Sequence, residues 1–237
     1  MNFLNPYTSW SDGKVSFTRS QASRFAKQVA DDFNPIHDVE AKRFCVPGDL
    51  LFAVLIKHLG LYPQMNFTFS GMVGDGVGIH FDESTPGEII LLDDRGKEYI
   101  RASYSGTPND EDEVTEQVIR NYVRFSGHNF PHVLEPLMAA HNVMINIDRP
   151  LVIYESMSLN LEHADISNTQ IEHMGAEMEV LGKRGNVSLT FRFLADGNVV
   201  GTGEKKMVLS GLREYDASVM NEMIEKYDQR KRDQIDL

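Results

Sequence analysis

The chain has 237 residues, of which 41% are hydrophobic and 24% charged, and its formal net charge is −12 at pH 7. These totals are those of a folded globular protein with one large or two small domains, and they exclude an intrinsically disordered chain. The negative charge argues against nucleic acids and anionic membranes as partners, because both are negatively charged themselves. Cys45 is the single cysteine, which excludes an intrachain disulfide and a cysteine metal cluster.

The sequence also bears on the location of the protein. Residues 1–6 lack a basic segment followed by an apolar core, so we expect no signal peptide. The longest apolar runs fall well short of the ~18–20 residues that span a bilayer. We therefore predict a cytoplasmic protein with no membrane or nucleic-acid partner, no cofactor and no metal, for which a homodimer is left open.

The first part of the chain predicts an arm and two helices. Residues 1–12 are rich in aromatic side chains without a period, as in an arm laid over a neighbouring surface. Thr18 caps a helix whose apolar residues recur at three- and four-residue spacing up to Val29. Residues 50–61 are apolar almost all round, which is typical of a buried helix, and Gly60 is its expected C-cap.

Strand patterns follow the second helix. Residues 67–69 and 77–81 are strand candidates on either side of a glycine-rich segment. Residues 88–92 and 99–104 form a predicted hairpin. The stretch 106–113 combines turn residues with an acidic run and has no apolar period, so it is the best linker candidate.

The second half repeats this order by pattern rather than by identity. Helically spaced apolar residues begin at Val114, and a second buried helix is predicted over 133–144. The strand candidates after it are 151–154, 157–161, 176–181 and a hairpin of 187–194 with 199–209, whose Asp-Gly turn is a strong signal. Residues 217–237 predict a charged amphipathic helix that we expect to pack weakly.

These elements predict an α+β fold of two units, each an antiparallel sheet wrapped around a central helix. The predicted division is an N-terminal arm (1–12), a first unit (13–108), a linker (109–113), a second unit (114–212) and a C-terminal helical tail (213–237).

Residues 32–37 place a carboxylate, an amide and an imidazole around Pro35. Because proline fixes a turn, Asp32 and His37 can converge on one water, with one taking a proton and the other orienting or returning it. Asn34 can hold the loop by hydrogen bonding. A simpler interpretation is equally open, in which Asp32 and Asn34 end a helix and His37 is a surface residue.

A helix start lies ten residues further on, at Pro47-Gly48-Asp49. Its free N–H groups and the helix dipole can polarise a carbonyl oxygen, and Gly48 has no side chain to bar the approach of a ligand. An ordinary capped helix explains the same residues. Together the two elements supply what is needed to add water to an α,β-unsaturated thioester or to remove it.

Residues 17–55 resemble the MaoC-like hot-dog family of (R)-specific enoyl-CoA hydratases and 3-hydroxyacyl dehydratases. The family signature, Asp, any residue, Asn-Pro, an aliphatic residue and His, is matched by residues 32–37, and a glycine at the start of the central helix by Gly48. The resemblance implies a double hot-dog fold with an acyl tunnel beside the central helix. The implied site consists of catalytic Asp32 and His37, oxyanion and loop support from Gly48 and Asn34, and substrate contacts from Pro47, Asp49 and Phe52.

Several departures from the signature indicate a divergent bacterial branch. Residues 30–31 are Ala-Asp where the family usually has Ser-Gly, Val39 stands where an acidic residue is usual, and Pro47 stands where histidine is common. Asp49 adds a carboxylate that repels a developing oxyanion if it points inward. Residues 126–132 are a degenerate echo of the motif without its Asp and His pair, so we expect the second unit to be non-catalytic.

The main prediction is therefore a hydratase or dehydratase of enoyl- or 3-hydroxyacyl-thioesters. CoA is favoured over acyl carrier protein, because carrier proteins are acidic and a chain of charge −12 repels them. Two alternatives remain open, an acyl-CoA thioesterase and a non-catalytic acyl-thioester-binding protein. Lys205 and Lys206 either meet a CoA phosphate or lie on a solvated strand face.

Overall fold

The computed structural model describes residues 3–147 and 150–235. Residues 1–2 of the predicted arm and 236–237 of the predicted tail lie outside the described residues. The helices are α1 (Arg19–Gln28), α2 (Gly48–Leu59), α3 (Asp112–Gly127), α4 (Leu134–Ala140) and α5 (Ala217–Ile235). The strands are β1 (Ser9–Ser11), β2 (Lys14–Ser16), β3 (Gln64–Phe69), β4 (His80–Asp82), β5 (Glu88–Leu92), β6 (Glu98–Ser105), β7 (Val143–Met144), β8 (Val152–Leu161), β9 (Thr169–Leu181), β10 (Arg184–Ala195), β11 (Asn198–Ser210) and β12 (Arg213–Glu214). None of these helices is long and apolar enough to cross a lipid bilayer.

Eight strands form one antiparallel sheet in the order β4-β5-β6-β3-β8-β11-β10-β9. The pairing of β3 with β8, which places Phe67 opposite Met157, joins the four strands of the first half to the four of the second half. Strands β1 and β2 form a small separate sheet, and so do β7 and β12.

Helices α2 and α3 pack against this sheet and against each other through aromatic rings. Phe52 of α2 contacts Phe67 of β3, with ring centroids 5.3 Å apart, and Tyr122 of α3 contacts Phe191 of β10 at 5.7 Å. Phe52 and Tyr122 meet at 4.7 Å between the two helices. Two helix-and-sheet units that share one sheet make the α+β double hot-dog, and the predicted fold is confirmed.

Caps and turns that depend on residues close together in the sequence form as predicted. Thr18 and Gln21 form a reciprocal capping box at the start of α1. Gly60, at φ +83°, follows the last residue of α2. Asp196 and Gly197 both have positive φ, as a two-residue hairpin of the expected kind requires, and β10 pairs with β11 across this turn.

The predicted position of the second central helix is wrong. The helix that packs on α2 is α3, whereas α4 covers only 134–140 of the predicted 133–144. Helix α3 begins at Asp112, within the acidic run, because carboxylates in a first turn are stabilised by the helix dipole. Strand β8 is also continuous where two strands were expected, since a β-bulge between Tyr154 and Ser156 absorbs the irregularity.

The C-terminal helix packs closely rather than weakly, which corrects another expectation. Met220 of α5 is fully buried and Tyr227 is 7% exposed. The ring of Tyr227 packs edge-on against Phe33 and Phe130, and its hydroxyl accepts a hydrogen bond from the Phe33 N–H at 3.3 Å. Lys231 donates a hydrogen bond to Asp31. Helix α5 therefore covers the loop that carries the predicted catalytic pair, while the domain boundaries stay a prediction.

Candidate active site

The loop after α1 folds as a rigid turn. Asp31 adopts a positive φ of 54°, which reverses the chain direction. The Asn34 side chain accepts a hydrogen bond from the Ile36 N–H at 3.2 Å and thereby caps the 3₁₀ turn Pro35–His37. Asp32 and His37 consequently stand at the two ends of one fixed turn.

The side chains of Asp32 and His37 converge across this turn. Asp32 Oδ2 lies 3.6 Å from His37 Nε2, which is too far for a direct hydrogen bond but close enough for one bridging water. Asp32 Oδ1 accepts a hydrogen bond from the Asn34 N–H at 2.8 Å, so the carboxylate is held in orientation. His37 Nδ1 lies 2.7 Å from the Cys45 carbonyl oxygen, and Nδ1 must carry the proton because a carbonyl only accepts. In the neutral form of the ring, the nitrogen that faces Asp32 is therefore the unprotonated Nε2.

A cavity of about 420 Å³ opens beside the loop and is lined by residues of both halves of the chain. Asp32, Asn34, Ser126, Asn129 and Lys205 contribute polar groups to its wall. The apolar lining includes Phe130, Leu134, Ile145, Val152, Met207 and Met223. Its volume falls in the range of small-molecule sites, about 300–1,000 Å³. Glu222, Lys226 and Arg230 of α5 add charged groups to the lining, so the cavity suits a ligand that has both apolar and charged parts.

A buried network of three side chains adjoins Asp32. Lys205 Nζ donates to Ser126 Oγ at 2.5 Å, and Ser126 Oγ donates to Asp49, whose nearer oxygen is 2.7 Å away. Each of the three residues is 7% exposed or less. Burial raises the pKa of Asp49 and lowers the pKa of Lys205, and the charge of each opposes the shift of the other. The charge of Asp32 also acts on both pKa values, so the pair and the network share one electrostatic environment.

Two tyrosines lie against this network. The hydroxyls of Tyr122 and Tyr154 hydrogen bond to each other. Lys205 Nζ lies 4.4 Å from the centroid of the Tyr154 ring, which is a cation–π contact. Burial raises the pKa of both tyrosines well above the ordinary value, so both hydroxyls stay protonated.

Thiolate chemistry and metal binding find no support in the part of the chain that the structure describes. Burial raises the pKa of the Cys45 thiol to about 11, so the thiol stays protonated at neutral pH. Among residues 3–147 and 150–235, no three His, Cys, Asp or Glu side chains are grouped as a metal site requires.

The predicted oxyanion position, Gly48, is not among the described residues that line the cavity. Gly48 begins α2, but a Cβ atom there would lie 3.0 Å from Tyr154 and 3.3 Å from Phe69, so aromatic rings fill the space beside it. Asp49 points into the protein interior and accepts hydrogen bonds from Ser126. Among the described residues, those that line the cavity do not include Gly48, Asp49 or Pro47.

Two further predicted residues, His37 and Phe52, are not among the described residues that line the cavity. His37 lies next to Asp32, which does line it. Phe52 is fully buried, with its ring packed between Phe67 and Tyr122 in the core. The assignment of Phe52, Pro47 and Asp49 to substrate binding and of Gly48 to the oxyanion stays a prediction.

Sequence reasoning missed two residues of this site, Ser126 and Lys205. Ser126 begins the degenerate echo of the motif, in the half that the sequence predicts to be non-catalytic. For Lys205 the sequence predicts only a surface or phosphate-binding role. A signal was present, because Lys205 shares its side of β11 with Met207 and Leu209, both buried, whereas Lys206 points outward.

Comparison with solved structures gives matches of low sequence identity. A tesB protein of Mycobacterium avium subspecies paratuberculosis is 11% identical, with a TM-score of 0.45 over 87% of this chain and 96% of that chain. A MaoC-like dehydratase is 11% identical, with a TM-score of 0.43 over 86% and 98%. A conserved protein of unknown function with a hot dog fold from Alicyclobacillus acidocaldarius is 8% identical, with a TM-score of 0.45 over 89% and 98%. The reaction has to be argued from the residues of the site.

Among curated proteins, no sequence matches this chain. One protein-family model matches residues 2–218, which is most of the chain. The chain therefore belongs to the DUF3581 family, whose description is "Protein of unknown function (DUF3581)".

Proposed function

We propose that the protein adds water to enoyl thioesters, or removes it from 3-hydroxyacyl thioesters, at the Asp32 and His37 pair. The observation that carries the proposal is the 3.6 Å separation of Asp32 Oδ2 and His37 Nε2 beside a largely apolar cavity. Both atoms are hydrogen-bond acceptors when Asp32 is ionised and His37 carries its proton on Nδ1. One water that donates a hydrogen bond to each of them would be held with its lone pairs free for attack.

Hydration then proceeds by general acid–base catalysis. The water oxygen bonds to C3 of the enoyl group while one of its protons passes to the Asp32 and His37 pair. The C2–C3 π electrons move towards the thioester oxygen, and a proton from the pair is delivered to C2. Dehydration is the same sequence reversed, and positioned proton transfer of this kind contributes about 10²–10⁴-fold to a rate.

The cavity supports an acyl chain as the group that is bound. Its lining includes Phe130, Leu134 and Met223, whose side chains are apolar. CoA is the favoured carrier, because Lys226 and Arg230 of the cavity lining can meet its phosphates, whereas the net charge of −12 repels acidic carrier proteins at long range.

The test is the loss of enoyl absorbance with crotonyl-CoA and with a medium-chain enoyl-CoA. We expect turnover by the wild type, and a fall of about 10²-fold or more in Asp32→Asn and in His37→Ala. Asp165→Asn and His163→Ala change an exposed carboxylate and an exposed imidazole elsewhere, and they serve as matched controls that keep wild-type rates.

Other outcomes separate the alternatives. Release of free CoA thiol from saturated acyl-CoA, without loss of enoyl absorbance, would identify a thioesterase instead. Binding of both enoyl-CoAs without turnover, unchanged in Asp32→Asn, would identify a non-catalytic binding protein. A folded wild type that neither turns over nor binds either substrate would contradict the proposal for these acyl chains.

A further inference from the structure

Hydration of an enoyl thioester builds negative charge on the carbonyl oxygen, which needs a donor in the site. Among the described residues, Pro47, Gly48 and Asp49 at the start of α2 do not line the cavity, and Phe69 and Tyr154 lie beside Gly48. These two rings are stacked with centroids 4.1 Å apart, and the Tyr154 hydroxyl is bonded to Tyr122. The space where a side chain at position 48 would stand is therefore filled by a packed aromatic pair.

Lys205, in contrast, lines the cavity and has donors to spare. An ammonium group carries three N–H donors. Among the described residues its one hydrogen-bond partner is Ser126, at 2.5 Å, and the face of the Tyr154 ring lies 4.4 Å from Nζ. At least one N–H is therefore left for a ligand. Because Lys205 is only 5% exposed, little bulk water competes for it.

Neighbouring groups fix the position of Lys205. Ser126 links Nζ to the Asp49 carboxylate through a continuous chain of hydrogen bonds. Burial is the larger effect and lowers the pKa of Lys205, while the carboxylates of Asp49 and Asp32 act in the opposite direction. A buried N–H donor that is already fixed in position can stabilise a developing oxyanion without reorganisation.

We propose that Lys205 binds the carbonyl oxygen of the acyl thioester, with Ser126 and Asp49 as positioning residues, in place of the Gly48 N–H. This inference rests on the proposed function for its substrate. When water adds to C3, the π electrons that move to the carbonyl oxygen form an enolate held by Lys205. When C2 takes up its proton, the enolate returns to the thioester, and Lys205 loses no proton in the cycle. The second half of the chain thus supplies a catalytic residue.

The test separates carbonyl binding from turnover by using ligands that cannot be hydrated. Octanoyl-CoA carries the thioester carbonyl, and S-octyl-CoA is the thioether that lacks it. We expect the wild type to prefer the thioester by about 10-fold or more in Kd, and Lys205→Met to lose that preference while its thioether Kd is unchanged. The carbonyl stretch of bound octanoyl-CoA labelled with ¹³C at C1 should shift to lower frequency in the wild type and not in Lys205→Met.

Lys206→Met is the matched control, because Lys206 is the next residue on β11, is exposed and pairs with Glu204. It should keep both the preference and the carbonyl shift. If Lys205→Met fails to fold because Asp49 is left unpaired, Lys205→Met combined with Asp49→Asn removes both charges and gives the same readout. A carbonyl preference and shift that persist in these variants would overturn the inference.

The outcomes also distinguish this inference from the proposed function. A Lys205-dependent carbonyl shift in a protein that hydrates no enoyl-CoA would support carbonyl binding and contradict the hydratase. Hydration that depends on Asp32, together with a carbonyl shift that is the same in the wild type and in Lys205→Met, would contradict only the inference. A wild type that binds neither octanoyl-CoA nor S-octyl-CoA would overturn the inference, and it would overturn the proposed function as well if neither enoyl-CoA is bound or turned over.

Discussion

The loops that follow α1 and α3 can be compared directly, because each leaves a helix that packs in its own half of the fold. The first, from Asp31 to Asp38, carries a carboxylate and an imidazole held 3.6 Å apart by a proline turn. The second, residues 126–132 including the last two residues of α3, carries no such pair, but it packs directly on the first. Gly127 lies so close to the Ala30 carbonyl oxygen that a Cβ atom would be 1.9 Å from it. The two loops therefore form one structural unit.

The two halves also differ in how their polar groups are exposed. The side chains of Asp32 and His37 are 20% and 11% exposed, whereas Ser126 and Lys205 are each 5% exposed as whole residues. Groups that reach solvent can exchange protons, and groups held in a dry, fixed network are suited to stabilising charge. If the proposed function and the inference both hold, the motif of the first half moves protons, and the second half supplies the apolar lining and the donor for the carbonyl oxygen.

The largest effect is expected from breaking the contact between the loops with Gly127→Ala. In a helix, alanine is normally more stable than glycine by about 1 kcal/mol, so a local argument predicts stabilisation. Here the added Cβ would overlap the Ala30 carbonyl oxygen, and overpacking of this severity costs about 3 kcal/mol or more. We expect the free energy of unfolding in urea to fall by that amount and activity to fall with it.

Gly74→Ala is the control for this substitution. Its nearest neighbour would be Val77, 3.9 Å from the new Cβ, and Gly74 is not among the residues with positive φ. The control should change the free energy of unfolding by less than about 1 kcal/mol. Equal stability of Gly127→Ala and the wild type would show that the two loops do not depend on each other.

Short-range chemistry explains what could be predicted from the sequence. The Asp32 to His37 turn, the Thr18 cap and the Asp196-Gly197 hairpin each depend on residues within a few positions of one another, and all three folded as expected. The acidic start of α3 was misinterpreted because a run of carboxylates is common both in linkers and in the first turn of a helix. Only the buried stripe that follows from Val114 distinguishes the two.

Long-range pairing explains what could not be predicted. Asp31 and Lys231 are 200 positions apart, and no local pattern links them, yet their contact holds α5 over the loop. Ser126 and Asp49 are 77 positions apart, and Lys205 joins them from another strand. The motif therefore indicated one side of the candidate site, and the other side emerged only from the fold.

An intermediate effect is expected from narrowing the cavity at α5. Met223 lines the cavity, and Met223→Trp adds volume that an acyl chain would otherwise occupy. If the proposed function holds, kcat/KM for a medium-chain enoyl-CoA should fall by about 10-fold relative to crotonyl-CoA, which is the scale of discrimination by a few methylene groups. Measuring both substrates with one protein preparation cancels differences in folded fraction.

Glu225→Trp places the same side chain on the exposed face of α5 and should leave the ratio of the two kcat/KM values unchanged. A ratio that also stays unchanged in Met223→Trp would mean that the acyl chain lies elsewhere. In that case the part of the cavity lined by α5 would not be the binding surface for the acyl chain.

The smallest effect concerns the attachment of α5 to the first loop through Asp31. Burial alone would raise the pKa of Asp31, but hydrogen bonds from Lys231 and His128 outweigh it and hold this pKa below its ordinary value. A carboxyl with a depressed pKa in the folded state stabilises the protein above its unfolded pKa of about 3.9, and this stabilisation is lost as pH falls through the folded pKa. Asp31→Asn keeps a residue that tolerates the positive φ at this position.

We therefore expect Asp31→Asn to lower the free energy of unfolding at pH 7 by about 1 kcal/mol, a modest figure because the Asp31 side chain remains 21% exposed to solvent screening. Urea titrations at pH 7, 5, 4 and 3 should show the difference from wild type shrinking below pH 4. Asp165→Asn, at an exposed position, should follow the wild type at every pH. If wild type and Asp31→Asn lose stability in parallel between pH 5 and 3, the ion pairs of Asp31 contribute nothing to closing the site, and the burial of Tyr227 and Met220 alone must hold α5 in place.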